Sequence, residues 1–293
     1  MSFFKRVKSS LQGRLRKALC RNRFENSFLP SLPREFHSAA RYVYDRDATE
    51  SELAIGKRIE AFRSEIESIE GDLHSFNSPR SGTFKTQNQG HAVAGEYVTN
   101  SASAHSRTGS SIPNGILLQR IVTGLAAKTV LELGANTGLS GCYFIGLPEF
   151  AQLITVEGSE DLCKIADKNM SRISNNYRLM HALFDDAIDE LIGEGVKVDS
   201  VFIDGQHERE ATWHYTQRVM PLLSPGSSII YDDIYWSADM NQMWKEVAAS
   251  PDFSTTVDLR TKGIAVLKSG DETKRHFDIC TYLGRPSYYR KRW

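Results

Sequence analysis

The segment ELGANTGL, Glu132 to Leu139, decides how the rest of the chain is read. It closes an apolar strand-like run, TVLELG from Thr129 to Gly134, and opens a helix from about Leu139. Gly134 and Gly138 permit a tight turn and close backbone approach, and the helix N-terminus that follows favours a negative group. In an open parallel sheet, ligands bind in such a loop, beyond the carboxyl ends of the strands.

Outward from this loop the pattern is regular. An apolar helix, Ile116 to Leu125, precedes the strand. After it come LITVEG (Leu153 to Gly158), a helix from Ser159 to Ile173, a strand near Tyr177 to Phe184 and a short helix from Ala187 to Ile192. VDSVFIDG ends at Gly205, a helix runs from about Glu210 to Leu223, and SSIIYDD covers Ser227 to Asp233. Strands that are apolar almost throughout, alternating with helices, imply a parallel sheet covered on both faces. TTVDL (Thr255 to Leu259) and GIAVLK (Gly263 to Lys268) are joined by a tight turn, so a hairpin brings an antiparallel strand into the sheet. The expected fold is α/β, Rossmann-like and doubly wound, with seven mostly parallel strands and a C-terminal antiparallel hairpin.

The flanks differ. Residues 1–111 read as a helical and loop extension, 112–270 as the main domain and 271–293 as a basic, aromatic tail. Met1 to Phe24 holds eight Lys or Arg and no acid, with Leu11, Leu15 and Leu19 at helical spacing. A cationic amphipathic helix over about residues 2–22 is expected; it reads as a plain surface helix, a contact for an anionic membrane surface, or an organelle-targeting segment. A second helix is expected over residues 49–71, followed by a polar loop over 75–110, with room for one short strand, in which His105, Arg107, Thr108 and Ser110 are candidates for a lid.

Composition narrows the class. With 36 basic and 36 acidic residues the net charge is zero, which gives no general case for nucleic acid. Cys20, Cys142, Cys163 and Cys280 include no Cys-x-x-Cys pair, which speaks against a zinc site or a disulfide framework and fits a reducing compartment. No apolar run approaches the about 18 residues of a membrane span. A cytoplasmic location is expected, with a peripheral place at the membrane left open.

The chemistry is suggested by carboxylates at strand ends. Glu157, followed by Gly158, ends the second strand of the domain and can accept hydrogen bonds from both hydroxyls of a ribose. A glycine loop also serves NAD enzymes, and GANTGL looks like a short-chain dehydrogenase loop. Against that reading, no Tyr-x-x-x-Lys occurs and typical dinucleotide folds lack the hairpin. Asp204 ends the fourth strand, and Asp232 and Asp233 end the fifth. Neighbouring strands lie about 4.8 Å apart, so these side chains can converge on one ion. Read singly, Asp204-Gly205 is an ordinary turn, His207 a helix cap, Asp232-Asp233 a solvated pair and Asp185 an N-cap.

Taken together, VLELGANTGL, VEGSED, FDDAIDEL, VDSVFIDGQH and IIYDDIYW, in this order, resemble a class I S-adenosylmethionine-dependent methyltransferase over Pro113 to Lys268. The resemblance is closest to the O-methyltransferases of the catechol and caffeoyl-CoA type, and to a bacterial group with Phe-Ile-Asp-Gly-x-His and Asp-Asp-Ile-x-Trp motifs. It implies that Glu132, Gly134, Asn136 and Gly138 surround the methionine part of the cofactor. Asn136 stands where the family often has a third glycine. Glu157 and Gly158 would hold the ribose, and Phe184 with Asp185 the adenine. It further implies Asp204, Asp232 and Asp233 as ligands of Mg²⁺ or another divalent cation, the last in place of the family's Asn. His207 falls where the family has a Lys as general base; an imidazole with an ordinary pKa of about 6.5 can take a hydroxyl proton. Tyr231, Tyr235 and Trp236 are candidates for an acceptor wall. The expected activity is O-methylation of a small-molecule hydroxyl. The competing expectation is a non-catalytic adaptor with this fold, docking on a membrane or protein partner through its basic termini.

Overall fold

Strands that are apolar on both sides need helices over both faces, and the arrangement of this chain supplies them. The computed structural model describes residues 15–76, 84–86, 90–92 and 97–286. Ahead of the main sheet, β1 (Asp72–Phe76), β2 (Phe84–Thr86), β3 (Gly90–Ala92) and β4 (Tyr97–Ser101) form two antiparallel pairs, β1 with β4 and β2 with β3. A helix, Ala102–Thr108, follows. The polar loop expected over 75–110 is therefore largely paired structure in its described part. Its pairing uses backbone groups, so segments rich in Ser, Thr and His carry little of the apolar alternation that marks a strand.

The main sheet contains β5 (Thr129–Leu133), β6 (Gln152–Glu157), β7 (Tyr177–His181), β8 (Val198–Ile203), β9 (Leu223–Asp232), β10 (Phe253–Asp258), β11 (Lys262–Leu267) and β12 (Arg275–Asp278). Their spatial order is β12-β10-β11-β9-β8-β5-β6-β7. Only the two pairings made by β11 are antiparallel. The sheet thus has eight strands rather than the expected seven. The added edge strand β12 falls in the segment read as a tail, where four residues among charged neighbours gave no strand signal.

Alternation along the strands sorts the core into two layers. Leu131, Leu133, Val201, Ile203, Ile229, Tyr231 and Ala265 belong to one, beneath the helices Phe184–Gly193, Arg209–Val219 and Ala238–Ala249. Val130, Phe202, Ile230 and Ile264 belong to the other, with the helices Ile112–Gly124 and Leu139–Ile145. The N-terminal segment joins that second layer. Residues 15–31 are helical, and Phe24 stacks on Tyr44 with ring centroids 3.9 Å apart. Tyr282, from the segment read as a tail, has its ring centroid 5.1 Å from that of Phe28. The helix Glu50–Glu67 starts at a capping box of Thr49 and Glu52. Arg120 then bonds Glu52 at 2.7 Å and Asp47 at 3.1 Å, tying the extension to the domain. Among the described residues no helix is long and apolar enough to cross a membrane.

Register places the site. Leu133 pairs with Val156 on one side and Ile203 on the other, Ile203 pairs with Tyr231, and Asp232 pairs with Lys262. The next residues of β5, β6 and β8 are Gly134, Glu157 and Asp204. They meet where the chain reverses its direction of winding, the switch point of the sheet.

Candidate active site

The glycine loop is held by two close approaches. Gly134 (φ 109°) and Gly138 (φ 77°) lie in the left-handed region. A β-carbon on Gly134 would sit 2.5 Å from the Asp204 carbonyl oxygen, so the loop rests directly on the tip of β8. One on Gly138 would meet the Ala166 backbone at 2.9 Å; this glycine lets the helix Leu139–Ile145 pack against the helix Glu160–Met170. Asn136 takes φ 48°, a conformation that Asn tolerates better than other residues with a side chain. Its backbone N–H donates to Glu157 Oε2 at 2.8 Å, and the Ser159 N–H donates to Oε1 at 3.0 Å. The Glu157 carboxylate is thereby fixed between two loops, although burial pushes its pKa above the ordinary value.

A cavity of about 380 Å³ opens beside it. Gly134, Asn136, Glu157, Gly158 and Phe184 line one side, and Asp204, Gly205 and His207 continue the wall. A β-carbon on Gly205 would come within 2.7 Å of the Phe184 ring, so this glycine leaves room for that ring. Of the lid candidates, His105 and Thr108 reach the cavity and Arg107 and Ser110 do not; Ser75 and Gly109 also contribute. Asn136 Nδ2 donates to Thr108 Oγ1 at 3.0 Å, which joins this wall to the glycine loop. His105 is 7% exposed, its Nε2 has no partner among the described residues, and burial lowers its pKa.

Three expected cofactor residues lie outside the cavity wall. Glu132 is 0% exposed beneath the loop, accepting from the Thr155 hydroxyl at 2.6 Å. Burial pushes its carboxyl up to about 7, against hydrogen bonds from Ser140 and Thr155. Gly138 serves helix packing. Asp185 points to Arg218, whose Nε donates to it at 3.0 Å, and to His214 Nε2 at 2.7 Å. It stands in the first turn of a helix whose N-cap is Leu183, so it is not the cap either.

The tips of β8, β9 and β11 carry a polar cluster. Burial and the Asp232 charge hold Asp204 well above the ordinary carboxyl value. Burial opposes ionisation of Asp232 as well, but the Lys262 ammonium and His207 outweigh it and hold Asp232 below its ordinary value. Lys262 is 0% exposed and its Nζ donates to Asp232 Oδ1. Asp233 turns away through φ 49°, and its N–H donates to the same Oδ1 at 2.6 Å. His207 Nε2 lies 3.8 Å from Asp204 and 3.9 Å from Asp233, close enough for charge but not for a hydrogen bond. The Trp236 ring is 5.7 Å from His207. Tyr231 and Tyr235 are core residues instead, bonded to Thr216 and Asp258.

The cluster does not fit a divalent cation as it stands. Both lone pairs of Asp232 Oδ1 are engaged, and a fixed buried cation already sits among the carboxylates. Sequence reading had missed Lys262, because a Lys between a turn and a Gly has the pattern of an exposed residue; only the register of β11 against β9 turns it inward.

A doubly wound sheet with one antiparallel strand near its edge, and a glycine loop and a strand-end acid at its switch point, defines a Rossmann-like, methyltransferase-type domain. Residues 131–234 match the family model described as a methyltransferase domain. A probable caffeoyl-CoA O-methyltransferase of Arabidopsis thaliana is 26% identical over 149 residues, 48% of this chain and 59% of that protein. The chain thus spans less than two thirds of that relative's length. Among solved structures, the O-methyltransferase from Bacillus cereus in complex with SAH is 21% identical, with a TM-score of 0.47 over 78% of this chain and 96% of that one. The O-methyltransferase TomG of Streptomyces achromogenes, in complex with SAM, is 19% identical, with a TM-score of 0.47 over 55% and 82%.

Proposed function

We propose that this chain is an S-adenosylmethionine-dependent O-methyltransferase acting on a hydroxyl of a small molecule. The observation that carries this reading is one cavity lined by the glycine loop, by the fixed Glu157 carboxylate and by the Asp204–His207 segment. The cofactor supplies a methyl group on a sulfonium; the acceptor oxygen bonds the methyl carbon as the carbon–sulfur bond breaks, leaving a neutral thioether. Glu157 keeps lone pairs for ribose hydroxyls, and Phe184 offers an apolar face to a flat ring. His207 takes the proton that the acceptor oxygen loses. Carboxyl oxygens of Asp204 and Asp233 lie within 4 Å of its Nε2. The wall from His105 to Gly109 narrows access for water, which methyl transfer to an oxygen must exclude.

Isothermal titration with S-adenosylmethionine tests the cofactor half, and absence of binding to the folded chain sinks the reading. A mass-shift screen with labelled cofactor then finds the acceptor. With an acceptor in hand, His207→Ala should lower kcat by about 10²–10⁴-fold, the usual worth of a general base, while cofactor affinity stays unchanged.

A second, compatible reading concerns location. Leu15 and Leu19 stand 62% and 73% exposed on a cationic helix, which supports peripheral docking on an anionic membrane surface.

A further inference from the structure

We infer that the resident cation of the carboxylate cluster is the ammonium of Lys262, in the place where a divalent ion would be expected, and that the site works without a metal. This assignment rests on the reading of the cavity as a methyltransferase site.

Four observations lead to it. The register of β11 against β9 sets Lys262 directly beside Asp232, so the side chain is delivered to the cluster by the sheet itself. Lys262 is fully buried, with Nζ bonded to Asp232 Oδ1 and 5.7 Å from the centroid of the Phe202 ring. A buried ammonium separated from its carboxylate would be an unpaired charge out of water, which is strongly unfavourable. Asp232 Oδ1, one of the oxygens a metal could use, is engaged twice, by Nζ and by the Asp233 N–H at 2.6 Å. Finally, the one trio of His, Cys, Asp or Glu ligand atoms within 4.8 Å of one another among the described residues is Asp258, Asp278 and Cys280, not any set from this cluster. A divalent ion placed among Asp204, Asp232 and Asp233 would also face the ammonium at short range, where like charges repel strongly in a low-dielectric setting.

Lys262 then acts as a positioning residue. It neutralises Asp232, which leaves Asp204 and His207 as the polar groups of the cluster that face the cavity. A lysine is suited to this place because its charge is compact and its stem is apolar.

Mn²⁺ titration of the chelator-treated full chain, followed by electron paramagnetic resonance, tests the assignment. The wild-type chain should bind no Mn²⁺ up to roughly millimolar concentration and should melt at the same temperature with Mn²⁺ or EDTA. Lys262→Met, which keeps the length of the side chain, should acquire a site of about one Mn²⁺ per chain, and adding Asp232→Asn should remove it. Stoichiometric Mn²⁺ binding by the wild type, lost in Asp232→Asn, overturns the assignment. So does a folded Lys262→Met chain that binds no Mn²⁺. If that variant does not fold, the wild-type titration decides alone. Cofactor binding measured on the same samples separates the two claims: a wild type that binds neither Mn²⁺ nor S-adenosylmethionine loses the enzyme reading, and its Lys262 remains the cation of the cluster.

Discussion

At the scale of single residues, burial does more to the site's chemistry than identity does. Glu132 and Glu157 are the same side chain on neighbouring strands, yet one is sealed under the loop and the other lines the cavity. For Glu132 the folded value of about 7 lies above the ordinary 4.5, so its carboxyl favours folding in the protonated form. That stabilisation is complete below the unfolded value and is lost as the pH rises through the folded one. The difference corresponds to about 3 kcal/mol at 1.36 kcal/mol for each pKa unit. Thermal melts across this range should therefore show wild-type stability falling with pH. Glu132→Gln, which mimics the protonated form, should flatten the curve and melt higher than wild type on the alkaline side. An unchanged pH profile in the variant would refute the role given to Glu132. The residue scale also explains why Asn136 can replace a glycine: its φ of 48° is one that Asn reaches at low cost.

Elements meet at distances that a few small residues set. Where the helices Ile112–Gly124 and Leu139–Ile145 cross, a β-carbon on Gly115 would lie 2.2 Å from the Tyr143 ring, which is fully buried. Gly115→Ala should cost about 1–3 kcal/mol, the typical range for overpacking, read as a lower urea midpoint. Because the helix Leu139–Ile145 carries Leu139 and Ser140 into the cavity wall, cofactor affinity should drop with it. No change in either quantity would mean that the crossing has slack. At this scale the sequence was informative where periodicity is strong. β5 to β11 and most of the helices between them fall close to their expected positions, because strands buried on both faces and helices buried on one carry a strong period; the helix Ala238–Ala249 was not expected. β1, β4 and β12 were not legible, since short half-exposed strands are specified by the partner that pairs with them.

For the whole molecule, the extension and the domain share one core. Phe24, Phe36 and Tyr44 are buried in the same cluster as Ile116 and Phe144, so the extension is part of the fold's apolar layer. Several of its described basic residues are paired with other groups at the surface. Arg16 donates to the Thr281 carbonyl at 2.9 Å, and Lys17 and Arg21 reach Asp45 at 3.2 and 2.7 Å. Leu15 and Leu19 are left facing out. In co-sedimentation with phosphatidylserine-containing vesicles, the wild-type chain should be retained and Leu15→Glu with Leu19→Glu released, without a change in melting temperature. Equal retention of both would place any membrane contact elsewhere.

The sequence by itself determined the α/β alternation, the switch-point loop and the acids at the strand ends, because these follow from local periodicity and from where strands stop. It also pointed to Glu157, Asp204 and His207, which line the cavity in the fold. Only the tertiary structure decided which of the candidates share a space. It removed Glu132, Gly138 and Asp185 from the cavity wall, folded His105 and Thr108 into it, and set Lys262 on Asp232. The reason is physical: whether a side chain near a strand end meets the ligand, the core or an opposite charge depends on the register and packing of segments far away in sequence.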